Sequence, residues 1–439
     1  MSLTHPAHAD RTQLDRNTVR IGLLGCGTVG SGVANLLIGS ASAIAARSGV
    51  AFTLEAIAVL SLDKPRTSSI PRSLLSGDAR ALVLDPAIDV IIECIGGTGV
   101  AADLVETALV RGKHVVTANK DLLATRGPEL RALAHARGVT IAYEAAVGGA
   151  IPIVRTLTAS LAGEEILEVG GVLNGTTNFI LSAMFEGESY ASALAKAQRL
   201  GFAEADPTND VEGIDAAHKL AILAQLAFGR GLVTSEIPRV GISGLTADDL
   251  TLAKRLGYRL KLIACARRDA SLVTPAYVHA DHPFAQPSGP QNCIRITGRN
   301  SGSLTFAGAG AGGAPTASAV ISDVVAVLRQ IAAGRHVGIL PGDDSLTPVT
   351  TAHEPSIPLP RIVRLHSLRD VRPAREALLA GGFEATALDG MPAIATERID
   401  GDAPVRLEGL LAAHAIVAQS IIPQWQDVDP HTYPERSHG

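Results

Sequence analysis

The stretch VRIGLLGCGTVGSGVANLL, residues 19–37, decides the fold. An apolar run enters a glycine turn and continues with apolar residues at helical spacing, which is how a strand–helix–strand unit begins. Gly25, Gly27 and Gly30 fit the pattern G-x-G-x-x-G between that strand and that helix. Such glycines let a pyrophosphate group sit on the helix N-terminus, although a turn that only packs helix on strand can carry the same residues. We therefore predict a dinucleotide-binding turn.

Further apolar runs continue this rhythm through the first third of the chain. They alternate with helical segments that end at Gly, which indicates a parallel, doubly wound sheet of the Rossmann type. The strand-like runs are 53–60, 89–96, 113–119 and 139–147. Hydrophobic residues make up 46% of the 439 residues and aromatic residues only 3%, so the core must consist mainly of Ala, Val, Ile and Leu. This composition favours an α/β fold.

The rhythm changes after about residue 152, which predicts a second domain of α+β type. A glycine-rich loop and a long apolar helix follow, and we expect them to return to the first domain. The C-terminal part has the order βαββαβ of a small ferredoxin-like unit. The expected boundaries are a flexible arm at 1–17, the dinucleotide-binding domain at 18–150, the second domain at 151–305, the loop and helix at 306–352, the ferredoxin-like unit at 361–422 and a tail at 423–439.

Charge and cysteine content exclude several classes of protein. A formal net charge of −5 gives no basic surface for a phosphate backbone, so no nucleic-acid partner is expected. The four cysteines have no paired spacing, which argues against a disulfide framework and against a zinc site. Residues 1–17 contain no apolar run, so we predict neither a signal peptide nor a membrane span there. We expect a cytoplasmic protein with no membrane partner.

The end of the second strand should contact the adenosine ribose of a dinucleotide. Asp63 could bind the ribose of NAD, whereas Ser61 with Lys64 and Arg66 could accept the extra phosphate of NADP. An ordinary polar turn explains these residues equally well. The choice between NAD and NADP therefore stays open.

Lys120 follows the strand-like run 113–119, whose C-terminal end should open onto the cofactor crevice. A lysine there can bind a substrate carboxylate or a phosphate, or it can take part in proton transfer. The alternative is a lysine that only solvates the surface.

The densest group of charges lies at 201–219, with five carboxylates within twelve residues. Asp215 and Lys219 are spaced i, i+4, so on a helix the carboxylate can orient the ammonium group toward a substrate oxygen. A solvated ion pair, worth about 0.3–0.5 kcal/mol, is the alternative. The residues after Lys219 are strongly apolar, which indicates that the pair begins a buried helix.

The segment Asn174-Gly175-Thr176-Thr177-Asn178 lies between a predicted strand and a predicted helix. Its residues suit a helix cap and turn. They equally suit a loop whose hydroxyl and amide groups contact a substrate.

Taken together, these stretches resemble the homoserine dehydrogenase family over residues 19–345. The residues that carry the resemblance are ECIGG (93–97), HVVTANKDLLA (114–124), YEAAVGGAIPIV (143–154), GGVLNGTTNFIL (170–181), AQRLGFAEADPTNDVEGIDAAHKLAILA (197–224) and GAGAGGAPTASAV (308–320). The resemblance implies NADP- or NAD-dependent interconversion of L-homoserine and L-aspartate β-semialdehyde, in the synthesis of threonine, methionine and isoleucine. It also implies that 151–305 is a catalytic and dimerisation domain and that the protein is a homodimer or homotetramer acting on this small-molecule substrate.

The resemblance further assigns roles to individual residues. Lys219 would donate a proton to the aldehyde oxygen as hydride arrives from the nicotinamide, with Asp215 orienting it and Lys120 helping to bind substrate and cofactor. Glu204 would bind the amino group of the substrate. The other expected substrate-binding residues are Asp210, Gly175 and Thr176. The expected cofactor-binding residues are Gly25, Gly27, Thr28, Val29, Gly30, Lys120 and Gly310.

Family members often hold a monovalent cation, usually sodium, in a hinge segment. The matching positions here are Glu144, Val147, Gly149 and Ile151. A glycine-rich hinge without a metal is the alternative.

Two departures from the family pattern bear on cofactor and regulation. Many relatives end the second strand with an Arg-Asp pair, whereas Leu60 and Ser61 stand here, which leaves the NADP preference open. The ferredoxin-like unit resembles the regulatory ACT domain, but its loop 369–374 lacks the Asp-x-Pro-Gly turn, so threonine feedback also stays open.

Two other functions are alternatives. Aspartate β-semialdehyde dehydrogenase would need a cysteine nucleophile, and none of the four cysteines stands in a turn typical of one. A catalytically silent dinucleotide-binding sensor of amino acids would not need Glu204, Asp215 and Lys219, which are all present.

Overall fold

The computed structural model describes residues 18–64, 69–229, 231–334, 357, 359–397 and 403–427. The chain divides into two units: Met1–Ala146 with Gly312–Pro341, and Val147–Ala311 with Gly342–Gly439. The predicted arm at 1–17, Arg66, residues 335–352 of the predicted loop-and-helix segment and most of the tail lie outside the described residues. Helices and strands are numbered below in chain order.

A six-stranded parallel sheet forms the centre of the first unit. Its strands are β1 (Thr18–Leu24), β2 (Ala51–Ala58), β3 (Leu75–Ser76), β4 (Val90–Glu93), β5 (His114–Thr117) and β6 (Ile141–Ala142). Their order is β3-β2-β1-β4-β5-β6, and every pairing is parallel. This is the strand order of the Rossmann fold, as predicted, and it places the topological switch point between β1 and β4.

Helices cover this sheet, and one of them comes from much later in the chain. They are α1 (Thr28–Gly39), α2 (Ala41–Ser48), α3 (Ala79–Leu84), α4 (Val100–Val110), α5 (Lys120–Ala136) and α12 (Gly313–Ala332). Val320, Val324 and Val327 of α12 are fully buried in the same core as Val33 of α1. A Cβ atom placed on Gly32 would lie 3.0 Å from the Cβ of Ala317, so glycine permits the close approach of α1 and α12.

No single helix among the described residues is long and apolar enough to cross a membrane. Helices α1 and α2 pass that test only as a pair, and the pair is bent by 79°.

The second unit contains a five-stranded antiparallel sheet with helices. The strands are β7 (Ile166–Val172), β8 (Tyr258–Arg267), β9 (Ser271–His279), β10 (Gln291–Gly298) and β11 (Gly302–Ala309). Their order is β11-β10-β7-β8-β9. The helices are α6 (Ile153–Arg155), α7 (Gly175–Phe185), α8 (Tyr190–Arg199), α9 (Thr208–Val211), α10 (Ile214–Phe228) and α11 (Ala247–Arg255). This mixture is the α+β type expected for the second domain.

Strand β11 corrects the predicted glycine-rich loop at 306. The first part of that segment is a strand that pairs with β10 over its whole length, from Gly302 to Ala309. Its residues alternate between half-buried and exposed positions, as an edge strand requires. The predicted boundary between 305 and 306 therefore cuts a strand, because glycines that suit an edge strand were interpreted as a loop.

The last part of the second unit has the predicted βαββαβ order. Its elements are β12 (Arg361–Leu365), α13 (Val371–Ala380), β13 (Ala385–Ala387), β14 (Ala393–Thr396), α14 (Ala403–Ala413) and β15 (Ala418–Pro423). The sheet order β13-β14-β12-β15 with antiparallel neighbours is that of a ferredoxin-like unit. A role in sensing amino acids stays a prediction.

Buried contacts attach the ferredoxin-like unit to the rest of the second unit. Arg364 on β12 donates to Asp249 on α11 at 2.7 Å, and Asp249 is fully buried. The expected tail at 423–439 begins as ordered structure, since the backbone N–H of Trp425 donates to Tyr277 at 2.9 Å and its side chain is 6% exposed. The start of the predicted tail is thus part of the core, because its single tryptophan is large and apolar.

Candidate active site

The glycine turn after β1 has two glycines that packing requires and one that it does not. Gly25 has a φ of +92°, and a Cβ there would lie 2.7 Å from the carbonyl oxygen of Cys94. A Cβ on Gly30 would lie 2.2 Å from the carbonyl oxygen of Gly25. A Cβ on Gly27 would meet no atom of the described chain within 4 Å. Gly27 is therefore the position where a bare backbone leaves room for a ligand.

The N-terminus of α1 has the features of a phosphate-binding site. Gly27 is its N-cap, no side chain caps it, and no acidic residue stands in its first turn. The first N–H groups of such a helix have no intrahelical acceptor, and the helix dipole favours negative charge there. Thr28 is exposed and Val29 is half-buried at this end. The turn therefore fits the pyrophosphate of a dinucleotide.

The residues after β2 do not decide between NAD and NADP. Asp63 forms an ion pair with Arg72 at 3.2 Å, and both side chains are largely exposed. Such a surface pair is worth little. Ser61 and Lys64 lie in the same exposed segment, and Arg66 lies outside the described residues.

The ends of β4 and β5 are tied together by a buried carboxylate that the sequence did not single out. Glu93 is fully buried and accepts hydrogen bonds from the backbone of Ile95 at 2.7 Å and the hydroxyl of Thr117 at 2.5 Å. Asn119 caps α5 and donates to the carbonyl of Gly97 at 2.7 Å. Lys120 is the first residue of α5 and is half-buried. The loop that carries Lys120 is thus rigidly held at the switch-point edge of the sheet.

The predicted sodium segment falls at the boundary between the two units. Glu144 is buried in the first unit, where its backbone N–H donates to Asp323 at 2.7 Å. Val147, Gly149 and Ile151 belong to the second unit. The carbonyl of Ile151 already accepts from the backbone N–H of Ile153 at 2.8 Å. Carbonyl oxygens suit a hard cation, and the sodium site stays a prediction.

Gly149 has a packing reason of its own. Its φ is +57°, and a Cβ there would lie 2.6 Å from the carbonyl oxygen of Ala309. Within the described residues, no group of three or more His, Cys, Asp or Glu could hold a metal ion.

In the second unit, Asp215 and Lys219 are in direct contact at the start of α10. The ammonium of Lys219 donates to Asp215 at 2.7 Å and to the carbonyl of Leu173 at 2.9 Å. Each side chain of the pair is only 9% exposed. Helix α10 reaches this position through Gly213, whose φ of +73° permits the turn between α9 and α10. The pair is therefore a buried acid–ammonium couple and not a solvated surface pair.

Asn174 joins this couple to a second carboxylate. Its side-chain amide nitrogen donates to Asp215 at 2.8 Å and to Asp210 at 2.7 Å, while its oxygen caps α7 through Thr177. Burial raises the pKa of Asp210, and the charge of Asp215 adds to that rise against the hydrogen bonds from Asn174 and Thr176. Hydrogen bonds therefore connect four polar residues at the N-terminus of α7: Asn174, Asp210, Asp215 and Lys219.

Gly175 and Thr176 are fixed by packing in the same place. A Cβ on Gly175 would lie 2.5 Å from the carbonyl oxygen of Pro290. The hydroxyl of Thr176 donates to the carbonyl of Phe202 at 2.7 Å, which holds the segment before Glu204 against α7. Glu204 itself is exposed, and its carboxylate forms no hydrogen bond or ion pair with the part of the chain that is described. The carboxylates of Asp210 and Asp215, in contrast, both accept hydrogen bonds from Asn174.

Asn292 on β10 is a further residue of this cluster. It is fully buried, and its amide nitrogen donates to the carbonyl of Leu173 at 2.9 Å, the same oxygen that accepts from Lys219. Its amide oxygen is buried and has no hydrogen-bond partner among the residues that the structure describes. A Cβ on Gly310 would lie 2.0 Å from the amide carbon of Asn292. Gly310, which was expected near the cofactor, therefore has a packing role against this amide.

Sequence reasoning left Glu93, Asn174 and Asn292 out of the candidate site. Asn174 had a signal, since it stands directly before Gly175 and Thr176 in a segment already considered for substrate binding. Asn292 had none, because a single asparagine in a strand has no characteristic spacing.

A Rossmann sheet with an uncapped glycine turn, together with a buried acid–ammonium couple able to serve proton transfer, defines a nicotinamide-dependent dehydrogenase. Family models agree with this class: residues 25–144 match the model "Homoserine dehydrogenase, NAD binding domain" and residues 152–325 match the model "Homoserine dehydrogenase".

Curated relatives match over most of their length. The chain is 43% identical to the homoserine dehydrogenase of Bacillus subtilis over 321 residues, which is 72% of this chain and 74% of the relative. It is 44% identical to the homoserine dehydrogenase of Synechocystis over 325 residues, with 72% and 74% covered.

Solved structures agree as well. A crystal structure of a homoserine dehydrogenase from Thiobacillus denitrificans matches with a TM-score of 0.85 and 35% identity, covering 93% of this chain and 98% of that chain. A hyperthermophilic archaeal homoserine dehydrogenase in complex with NADPH matches with a TM-score of 0.62 and 28% identity, covering 71% and 97%. The chain belongs to the homoserine dehydrogenase family, whose members are NAD(P)-dependent oxidoreductases.

Proposed function

We propose that Lys219 is the proton donor in the reduction of L-aspartate β-semialdehyde to L-homoserine and that Asp215 orients it. The observation that carries this proposal is the 2.7 Å contact between two side chains that are each 9% exposed. In this direction the ammonium of Lys219 gives a proton to the aldehyde oxygen, which becomes the hydroxyl of homoserine. In the reverse direction the neutral amine takes that proton back.

The nicotinamide cofactor, when bound, supplies the hydride to the aldehyde carbon or removes it in the reverse direction. The glycine turn at Gly25, Gly27 and Gly30, with Thr28 and Val29, would hold its pyrophosphate. Support comes from the bare position at Gly27 and from the uncapped N-terminus of α1. The NADPH complex of the archaeal relative agrees with NADP as one of the two cofactors.

Substrate binding is assigned to residues around the N-terminus of α7. The exposed carboxylate of Glu204 has no protein cation to neutralise it in the described chain, so it can accept the substrate ammonium group. Asp210, Gly175 and Thr176 would line the same place. Lys120 would bind substrate and cofactor from the first unit. We further propose a cytoplasmic homodimer or homotetramer.

The chemistry of three of the four cysteines speaks against aspartate β-semialdehyde dehydrogenase. That reaction needs a thiolate nucleophile. Burial raises the pKa of Cys94 and of Cys265, and it raises the pKa of Cys293 to about 11. These three thiols are therefore held in the unreactive neutral form.

The test is turnover of Lys219→Met, measured as homoserine-dependent reduction of NAD and of NADP side by side, with and without threonine. We expect kcat to fall by roughly 10²–10⁴, the usual contribution of a positioned proton donor. NADPH binding, followed by its fluorescence, should be unchanged. Lys196→Met is the matched control, because Lys196 is also a helical lysine paired with a carboxylate, at 2.6 Å, but is 44% exposed.

Near-normal turnover of Lys219→Met would overturn the catalytic assignment. Lack of homoserine-dependent turnover in the wild-type protein with both cofactors would favour the silent sensor instead.

A further inference from the structure

A small cavity in the second unit is separate from the proposed catalytic cluster. Its volume is about 200 Å³, and its lining includes Ser182, Phe185, Arg259, Lys261 and Ser288. The cavity lies along the C-terminal half of α7, whereas Asn174 caps the N-terminus of that helix. At a rise of 1.5 Å per residue, Phe185 is roughly 16 Å along the axis from Asn174. The catalytic assignment uses none of these lining residues.

Two cations line this cavity without a carboxylate partner. Arg259 and Lys261 stand two residues apart on β8, and neither forms an ion pair with any residue in the described ranges. The guanidinium carbon of Arg259 lies 3.7 Å from the centre of the Phe185 ring, which fixes its position without neutralising its charge. Buried or half-buried charges in proteins are normally paired. Two adjacent cations without a partner therefore leave a local excess of positive charge.

Lys261 is the more deeply buried of the two. It is 4% exposed, and its ammonium donates to the amide oxygen of Asn178 at 2.7 Å and to the carbonyl of Pro287 at 2.6 Å. These neutral acceptors explain two of its three N–H groups. They fasten the loop after Ala285 to α7, but they explain neither the third N–H group nor the neighbouring charge of Arg259.

The pKa of Lys261 reflects the same imbalance. Burial, together with the positive charge of Arg259, lowers it to about 8. The other ionisable groups near it are Lys254, which lies 5.3 Å from the centre of the Phe185 ring, the exposed Glu186 at the cavity and the thiol of Cys293. A bound anion would favour the charged ammonium, so binding should weaken as the pH rises through about 8.

We infer that this cavity binds a small oxyanion, a carboxylate or a phosphate, between Arg259 and Lys261. The hydroxyl of the exposed Ser288 is available as a further donor to the anion oxygens, whereas that of Ser182 already donates to the carbonyl of Asn178 at 2.7 Å. The volume is below the range of about 300–1,000 Å³ that is usual for drug-sized ligands, which limits the ligand to a small metabolite or inorganic ion. With Glu186 also at the cavity, the three charged side chains sum to one positive charge, which a single oxyanion group neutralises.

Calorimetric titration of the full-length protein tests this inference. The probes are acetate, inorganic phosphate and acetamide, a neutral compound of the same shape as acetate. Saturating NADP is present throughout, because the N-terminus of α1 also attracts phosphate. We expect at least one oxyanion to bind at pH 7 and more weakly at pH 9, and acetamide not to bind.

The deciding variant is Arg259→Gln, because the Arg259 side chain makes no hydrogen bond within the described chain, so its loss should leave the fold intact. It should weaken oxyanion binding at least tenfold. Lys261→Met should abolish binding, but it also removes the bonds to Asn178 and Pro287. Arg372→Gln, on an arginine whose side chain is 88% exposed, is the control and should bind as wild type. The inference is wrong if neither oxyanion binds, if acetamide binds equally, or if Arg259→Gln binds as wild type.

Discussion

Breaking the Asp215–Lys219 pair should destabilise the second unit far more than breaking a surface pair. Removing one partner of a buried ion pair costs roughly 3–5 kcal/mol, because the other charge is left in a poorly solvated site. Both side chains here are 9% exposed. In Asp215→Asn the partners that the ammonium keeps among the described residues are the carbonyl of Leu173 and a neutral amide. Asp210, attached to the same Asn174 amide, supplies a nearby negative charge, so we expect the lower end of that range, about 3 kcal/mol.

A double-mutant cycle separates this coupling from the loss of each side chain. Lys219→Met should cost a similar amount, and the double variant should cost about 2 kcal/mol less than the sum, because it leaves no charge unpaired. Urea unfolding followed by tryptophan fluorescence measures these free energies. Trp425 is the only tryptophan in the chain, and its ring lies 5.8 Å from that of Phe284 in the second unit. Its signal therefore reports the unit that contains the pair.

The matched control is the Arg372–Glu376 pair, which has the same i, i+4 spacing on α13. Its side chains are 88% and 62% exposed, so its coupling should be about 0.5 kcal/mol or less. Additive costs for Asp215→Asn and Lys219→Met, or a coupling equal to that of the control, would refute the claim that burial makes this pair strong.

Other outcomes follow from neighbouring contacts. Asn292→Ala should lower kcat about tenfold while leaving the KM for NADPH unchanged, because it removes the donor that shares the Leu173 carbonyl with Lys219. Equal changes in kcat and in the KM for NADPH would contradict a positioning role. Gly310→Ala should lower kcat in the same way and destabilise the second unit by about 1–3 kcal/mol, since its Cβ would lie 2.0 Å from the Asn292 amide carbon. An unchanged urea midpoint would contradict the predicted loss of stability. Although burial alone would raise the pKa of Asp249, hydrogen bonds from Arg364 and from its neighbours hold it below its ordinary value. The stability from Asp249 is therefore complete above its unfolded pKa of about 3.9 and lost as the pH falls through the lower folded pKa. Wild type should lose more stability than Asp249→Asn between about pH 6 and about pH 2, and parallel urea-midpoint curves would contradict this.

The parallel sheet could be predicted because its signals are local. The glycine turn at residues 25–30 and the alternation of apolar runs with helices give the order of elements along the chain. The run at 139–147 shows the limit of this approach, since only Ile141–Ala142 pairs as a strand and Glu144–Ala146 forms a tight turn. Apolar residues before a turn can be buried without being paired, and periodicity does not separate the two cases.

Part of the candidate site could also be predicted because its sequence signal is local. The i, i+4 spacing of Asp215 and Lys219 is a local signal that a helix converts into contact. Asn292 lies more than 70 residues away along the chain, and its link to Lys219 is the backbone carbonyl of Leu173, the residue after β7, to which both side chains donate. Strand β11 was misinterpreted because its pairing with β10 is a property of the sheet and not of its glycines.

The side-chain amide of Asn174 has two hydrogens, and both are already engaged by carboxylates, while its oxygen holds the start of α7. It keeps no donor for any incoming molecule. A change at this position should therefore slow every alcohol or aldehyde that the enzyme accepts by the same factor and leave its ranking of those compounds intact. Selectivity must be set by neighbours such as Glu204, whose carboxylate forms no hydrogen bond or ion pair within the described residues and can therefore bind a substrate group.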